Sequence, residues 1–117
     1  MRLNEISFDN AVPIDGYGSG FFRVGGRKYD GAVLVLPAGV SAWGGFEDTT
    51  VLLTHVADID VLFVGTGAEI AHLPGNFRTT LEDAGIGVEA MASPAACRTY
   101  NVLLSEGRRV AVALLPV

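Results

Sequence analysis

The tripeptide Gly65-Thr66-Gly67 follows a predicted buried strand and is the first place where this chain could do chemistry. Glycines at a strand end let backbone N–H groups come close to a phosphate or another anion. A dinucleotide site needs a third glycine where this chain has Ile70, and no lysine follows in the phosphate-loop pattern. The tripeptide therefore favours a tight turn between strand and loop, with an anion-binding loop as the alternative.

A second candidate lies on the predicted helix that begins at Ser93-Pro94. At about 100° per residue, Arg98, Asn101 and Ser105 share one narrow arc, and the rest of the helix is mostly apolar. This polar stripe is either the solvated edge of a buried helix or a contact to a ligand or partner. Ser93 is predicted to cap the helix, whose first turn and the Gly65 loop could then converge on one anion.

Two histidines and one cysteine are the remaining candidates for a metal site or a nucleophile. His55 and His72 have no neighbours at metal-ligand spacing, and Cys97 alone cannot supply the thiolates of a closed zinc site. Cys97 lies in an apolar helical segment, which is typical of a buried core cysteine. No serine stands in a nucleophile-elbow pattern. The sequence therefore predicts no catalytic residue, no metal and no cofactor.

Length and charge narrow the class of protein. A chain of 117 residues is long enough for one domain, which we assign to residues 1–117. Eight Lys and Arg residues against 13 Asp and Glu give a net charge of −5, which disfavours nucleic acid and anionic lipid as partners. A single cysteine excludes an intramolecular disulfide, and no apolar run of about 18 residues is present. We therefore expect a cytoplasmic protein without direct membrane insertion.

The apolar content is high for so small a chain. Hydrophobic residues make up 50% of the sequence and charged residues only 18%. This composition indicates either a sheet buried on both faces or a surface that a partner covers. The partner is another protein or a second copy of the chain, and a homodimer would use Phe21, Phe22 and Trp43.

The elements that position the candidates follow from turn signals and periodicity. A hairpin is predicted from 21–24 and 27–37, joined by Gly25-Gly26, and the apolar run 33–36 predicts a strand buried on both faces. The remaining predicted helices span 49–59, 74–84 and 93–106, and the remaining strands span 60–64, 88–91 and 109–115. Around the second of these helices, one apolar face is predicted from Leu73, Phe77, Leu81 and Ala84. This order predicts an α/β protein with one mixed sheet and helices packed on it.

Several segments together resemble a known family of small α/β domains that is widespread in bacteria and archaea and includes the mitochondrial complex I (NADH dehydrogenase) assembly factor 3. The resemblance covers nearly the whole chain. The segments that carry it are Ile14 to Gly18, Gly20-Phe21, Tyr29 to Gly31, Val33 to Pro37, Trp43, Leu62 to Gly67, Gly85 to Met91, Ala95-Ala96, Thr99 to Leu103, Glu106 to Arg108 and Ala111 to Pro116.

The resemblance implies a compact three-layer domain with a mixed central sheet, helices and a small additional β layer formed by the N-terminal hairpin. It implies no catalytic residues. For function it implies a non-enzymatic protein-interaction module that helps to assemble a respiratory or other membrane complex through protein partners. The alternative is a small-molecule or anion binder, or an enzyme of unknown reaction, that uses a crevice near Gly65-Thr66-Gly67.

Overall fold

Turn residues and alternating apolar positions divide the chain into short elements. The computed structural model describes residues 12–117, and these contain eight strands and three α-helices. The strands are β1 (Ile14–Gly18), β2 (Phe21–Val24), β3 (Arg27–Asp30), β4 (Val33–Leu36), β5 (Gly39–Ala42), β6 (Val61–Thr66), β7 (Gly87–Met91) and β8 (Val110–Leu115). The helices are α1 (Thr50–Thr54), α2 (Gly75–Asp83) and α3 (Ser93–Ser105).

The strands form two sheets. Strands β1, β2 and β3 pair in sequence as a small antiparallel sheet. The larger sheet has the order β5-β4-β8-β6-β7, in which β6 is parallel to both β8 and β7, while β4 is antiparallel to β5 and β8. This confirms the predicted mixed central sheet with a small additional β layer.

The predicted second hairpin strand, 27–37, was wrong as a single element. Gly31 adopts a φ of +80°, which L side chains rarely adopt, and its N–H donates to Gly20 O at 2.8 Å. The chain therefore turns between β3 and β4 and enters a different sheet. The side chains agree with this break, because β3 is largely exposed and carries charged residues, whereas all four residues of β4 are buried.

The five-stranded sheet separates two apolar cores. Side chains alternate between the two faces of a strand, so Val33 and Val35 of β4 lie in one core and Leu34 and Leu36 in the other. The first core is closed by α3 and the three-stranded sheet, and the second by α1 and α2. The predicted burial of this strand on both faces is therefore confirmed.

Two helix predictions need adjustment. The predicted helix 49–59 is an α-helix only over Thr50–Thr54, and a 3₁₀ turn at Val56–Asp58 follows. Its Thr and Val content lowers helix propensity, and the tighter turn leads directly to buried Ile59 and the start of β6. On α2 the predicted inward face holds for Phe77 and Leu81, which are buried, but Ala84 is exposed.

An ion pair joins the chain segments where β6 and β8 begin. Arg109 Nη2 lies 2.7 Å from Asp60 Oδ1, and Arg109 Nη1 donates to Ala57 O at 2.7 Å. The backbone supports the same junction, because Asp60 N–H donates to Arg109 O and Gly87 N–H donates to Asp60 O. The hydrogen bonds from Arg109 hold the pKa of the Asp60 carboxyl below its ordinary value of 3.8.

We expect Asp60→Asn to change how stability depends on acid. A lowered folded pKa means that the Asp60 carboxylate stabilises the fold fully above pH 3.8 and loses this effect as the pH falls through the lower, folded value. The variant lacks this component, so its free energy of unfolding falls less than that of the wild type on acidification. Urea unfolding from about pH 6 to about pH 2.5 measures the difference.

Asp83→Asn, at the exposed end of α2, is the matched control and keeps the wild-type acid profile. Parallel profiles for the wild type and Asp60→Asn would contradict a stabilising role for this ion pair.

Candidate functional site

The end of β6 and the start of α3 meet at Gly65. A Cβ on Gly65 would lie 2.6 Å from Ser93 Oγ and 2.8 Å from Ser93 Cα, closer than real side chains come. Gly65 is buried, and its position is set by this close approach of strand and helix. Glycine is needed here for packing, whatever else the loop does.

Ser93 holds this junction together by three hydrogen bonds. Its side chain is fully buried, accepts from Gly67 N–H at 2.9 Å and donates to Leu115 O at 2.6 Å. Its own N–H donates to Gly67 O at 2.7 Å. The prediction that Ser93 caps α3 was wrong, because Ala92 occupies the cap position and the Ser93 hydroxyl instead joins the ends of β6 and β8.

Thr66 shapes the loop that follows. Its hydroxyl donates to Glu69 O at 2.8 Å, with Met91 O as a second acceptor at 3.3 Å, and it accepts from Ala71 N–H at 2.9 Å. These bonds close a turn on both sides of Ile70. The Ile70 side chain is 66% exposed, so the turn presents a large apolar group to solvent.

The Gly65 junction leaves few donors for an anion. The N–H groups of Gly67 and Ser93 are already hydrogen-bonded, and Pro94 has none. An anion site at the start of a helix depends on such free N–H groups. The geometry of the junction therefore favours the strand-to-loop turn.

The polar stripe on α3 divides into two parts. Arg98 and Ser105 are exposed, and the Ser105 hydroxyl donates to Val102 O at 2.6 Å. Asn101 is half-buried, because its amide donates to Ile14 O and accepts from Ile14 N–H, both at 2.8 Å. Asn101 therefore binds the backbone of β1 to α3, and the exposed face of α3 consists of Arg98, Ser105 and Val102, which is 55% exposed.

The inner face of α3 carries two titratable groups that are buried in the first core. Burial raises the pKa of the Cys97 thiol to about 11, so the thiol is protonated at neutral pH. This agrees with the predicted core cysteine. Burial also raises the pKa of Tyr100, whose hydroxyl donates to Val12 O at 2.8 Å. Both side chains pack in the first core and help to hold α3 against the sheet.

The aromatic residues proposed for a homodimer interface are mostly buried within the chain. Phe22 is 0% exposed and Trp43 is 5% exposed. Trp43 lies in the core on the α2 side of the sheet, where its ring centroid is 5.5 Å from that of Phe46 and 6.2 Å from that of Phe77. Phe22 and Trp43 were therefore wrong as candidates for a homodimer interface, and of the three residues only Phe21 is partly exposed.

Sequence reasoning missed a groove beside β7. Its volume is about 400 Å³, and its lining residues are Ile70, Ala71, His72, Leu73, Arg78, Glu89 and Ala90. Arg78 spans it, because Nη1 donates to Val88 O at 2.9 Å and to Glu82 Oε2 at 3.2 Å. An isolated isoleucine in a loop was the one local signal, since the edge position of β7 follows only from the strand order.

A metal centre and a membrane-spanning helix have no candidate among residues 12–117. Within residues 12–117, no group of three or more His, Cys, Asp or Glu side chains is arranged to hold a metal ion. No helix in that part of the chain is long and apolar enough to cross a membrane. The described features thus include one satisfied junction, one exposed helix face, the groove beside β7, and a second depression of about 710 Å³ between the loop Gly44 to Thr49 and the start of α2.

Comparison with known proteins identifies the family of this chain. Residues 14–115 match the model of a family described as proteins of unknown function, DUF498/DUF598. The chain belongs to the DUF498/DUF598 family. An uncharacterised protein of Rhodobacter capsulatus is 46% identical over 117 residues, which cover 100% of this chain and 94% of that protein.

Mitochondrial assembly factors are also similar. The rat NADH dehydrogenase (ubiquinone) 1 alpha subcomplex assembly factor 3 is 34% identical over 123 residues, covering 99% of this chain and 66% of that protein. The human protein of the same name is 33% identical over 113 residues, covering 91% and 61%. The chain therefore spans slightly less than two thirds of the assembly factors that it resembles.

Solved structures confirm the fold. The crystal structure of an outer membrane protein from Bartonella henselae matches with a TM-score of 0.86 at 37% identity, covering 92% of this chain and 97% of that chain. A solution structure from Bordetella pertussis, described as a Mth938-like domain, matches with a TM-score of 0.75 at 30% identity, covering 99% and 92%. This member of the DUF498/DUF598 family therefore has the Mth938-like α/β fold.

We expect Gly65→Ala to destabilise the protein by about 1–3 kcal/mol, because the new methyl group meets the backbone and hydroxyl of buried Ser93. Gly16→Ala is the matched control, since a Cβ at Gly16 would meet no atom within 4 Å and the φ of Gly16 is not in the left-handed region. Urea unfolding of both variants measures the effect. Equal midpoints for the two variants would disprove the packing role of Gly65.

Asn101→Ala should lower the free energy of unfolding by about 1–3 kcal/mol, because it leaves the N–H and C=O of Ile14 without their partner. Ser105→Ala lies four residues later on the same helix and removes only a local hydrogen bond at an exposed position. We expect that control to stay within about 0.5 kcal/mol of the wild type. Similar losses in both variants would place Asn101 on the solvated stripe after all.

Proposed function

We propose that this protein is a non-enzymatic interaction module that helps in the biogenesis of a respiratory, complex I-type or other membrane complex. It would act from the cytoplasmic side, through protein partners and without inserting into the membrane. The observation that carries this proposal is the similarity to complex I assembly factor 3 over 99% of the chain. Because fold alone does not determine function, the proposal rests on the length of that match and on its sequence identity.

The described residues support binding over chemistry. The buried polar groups at the Gly65 junction bond to one another, and the Cys97 thiol is buried and protonated at neutral pH. The surface includes an exposed helix face with Arg98, Val102 and Ser105, and the groove beside β7. Such features suit contact with another macromolecule better than transformation of a substrate.

An anion- or small-molecule-binding role near Gly65-Thr66-Gly67 is the alternative. The hydrogen bonds of Gly67 and Ser93 argue against it at the junction itself, because a ligand would have to displace bonds that hold β6, β8 and α3 together. The groove beside β7, with Arg78 and Glu89, is where such a ligand would have more room.

Affinity purification from the native cells tests the assembly role. The tagged chain is isolated in mild detergent and the co-purifying proteins are identified by mass spectrometry, with an unrelated acidic protein of similar size as the control. We expect reproducible enrichment of complex I subunits or assembly proteins, because the chain resembles the assembly factor over nearly its whole length.

Recovery of a well-expressed bait without any such protein would contradict the assembly role in this organism. Recovery of the bait with a bound metabolite in its place would favour the small-molecule alternative.

A further inference from the structure

Strand β7 lies at one edge of the five-stranded sheet and pairs with β6 on its inner side. Gly87 N–H donates to Asp60 O at 2.9 Å, so Gly87 faces the sheet. Backbone groups alternate in direction along a parallel strand, so those of Val88 and Ala90 point outward. Val88 O already accepts a hydrogen bond from Arg78 Nη1. Within residues 12–117, Val88 N–H and both backbone groups of Ala90 have no partner outside the strand ladder.

The groove described above runs beside this edge. Ala90 lies in its wall, and the loop opposite presents Ile70 with most of its side chain in solvent. The two Thr66 hydrogen bonds to residues on either side of Ile70 hold that loop in one conformation. A partner would therefore meet an ordered apolar contact next to unpaired backbone groups, and the ordering cost on this side would be small.

The unpaired charges around the β7 edge are negative. Arg78 is already paired with Glu82 at 3.2 Å. Glu69 and Glu89 are exposed and form no ion pair with any residue of 12–117. The edge is thus acidic, and pairing β7 with the β7 of a second copy about its middle residue would set Glu89 opposite Glu89, which is unfavourable.

We propose that the β7 edge binds an extended segment of a partner protein as a sixth strand. The segment's backbone pairs with Ala90 and with Val88 N–H, an apolar side chain contacts Ile70, and a lysine or arginine faces Glu89. Unpaired strand edges are templates for this mode of recognition, in which backbone bonds supply affinity and side-chain contacts supply specificity. The inference rests on the proposed function as an interaction module, for which it names one surface and the chemistry of its partner.

Two other strand edges are partly protected by side chains of this chain. Asn101 occupies both backbone groups of Ile14 on β1. Strand β3 carries exposed Arg27, Lys28 and Asp30, and charged side chains discourage strand addition. Strand β7 has less protection than either, because Arg78 binds one carbonyl and leaves the backbone N–H of Val88 and both backbone groups of Ala90 without a partner among residues 12–117.

Peptide binding tests the proposal. The probes are fluorescein-labelled peptides of about eight residues, in which valine alternates with lysine in one panel and with glutamate in the other. Fluorescence anisotropy gives the dissociation constants on the full chain, and amide NMR shifts locate the contact. We expect the lysine panel to bind more tightly by about tenfold, with the largest shifts at Val88 and Ala90.

Three variants make the test specific. Ala90→Pro keeps the β6 ladder, because the Ala90 N–H points outward, but removes the free donor and should weaken lysine-panel binding at least about fivefold. Ile70→Asp, at an exposed position, should weaken it as well without a cost in folding. Glu89→Lys should reverse the preference, so that the glutamate panel binds more tightly.

Ala42→Pro on the opposite edge is the matched control. Trp43 N–H donates to Ala32 O, so the Ala42 N–H also points away from its neighbour β4, and this variant should bind like the wild type. The proposal is overturned if neither panel binds, if the shifts centre on β5, or if Ala90→Pro and Ala42→Pro behave alike. Unchanged preference in Glu89→Lys would equally overturn the charge assignment.

The outcome is separable from that of the assembly role. In the affinity purification, an Ala90→Pro bait that still enriches complex I proteins would refute this surface and leave the assembly role standing. A wild-type chain that binds the lysine panel but enriches no complex I protein would support this surface and contradict the assembly role.

Discussion

The close approach of α3 to the end of β6 is the constraint on which the rest of the structure depends. Gly65 leaves no room for a side chain, and Ser93 Oγ bonds both Gly67 N–H and Leu115 O, so helix and strands have one relative position. From this junction, α3 passes between the two sheets, where Tyr100 and Asn101 form hydrogen bonds with the backbone of Val12 and Ile14. The small β layer is thereby positioned by the same helix.

This constraint decides where the molecule can bind another one. Glycines after a buried strand and a serine at a helix start commonly form an anion site, but here their polar groups bond to one another. A buried group with a satisfied hydrogen bond has little to gain from a ligand. Binding is therefore more favourable at the periphery, where the groove beside β7 and the exposed face of α3 leave groups in contact with solvent.

Much of the fold could be predicted from local patterns. The apolar run of β4 predicted burial on both faces, and the faces of α2 and α3 followed from helical spacing, because these patterns depend only on residues near in sequence. The site was predicted less well. Asn101 was grouped with Arg98 and Ser105 because the three share one arc of the helix. Its hydrogen-bond partner Ile14 is 87 residues away in the chain, and helical spacing gives no information about so distant a contact.

The sequence by itself determined the α/β class, the mixed sheet and the burial of Cys97, since these follow from periodicity, turn residues and an apolar neighbourhood. Only the tertiary structure decided that Ser93 bridges two strand ends and that β7 lies at an edge with Ile70 beside it. The physical reason is that strand order and the docking of helices depend on contacts between distant segments. Those contacts determine which polar groups are satisfied internally and which remain available to a partner.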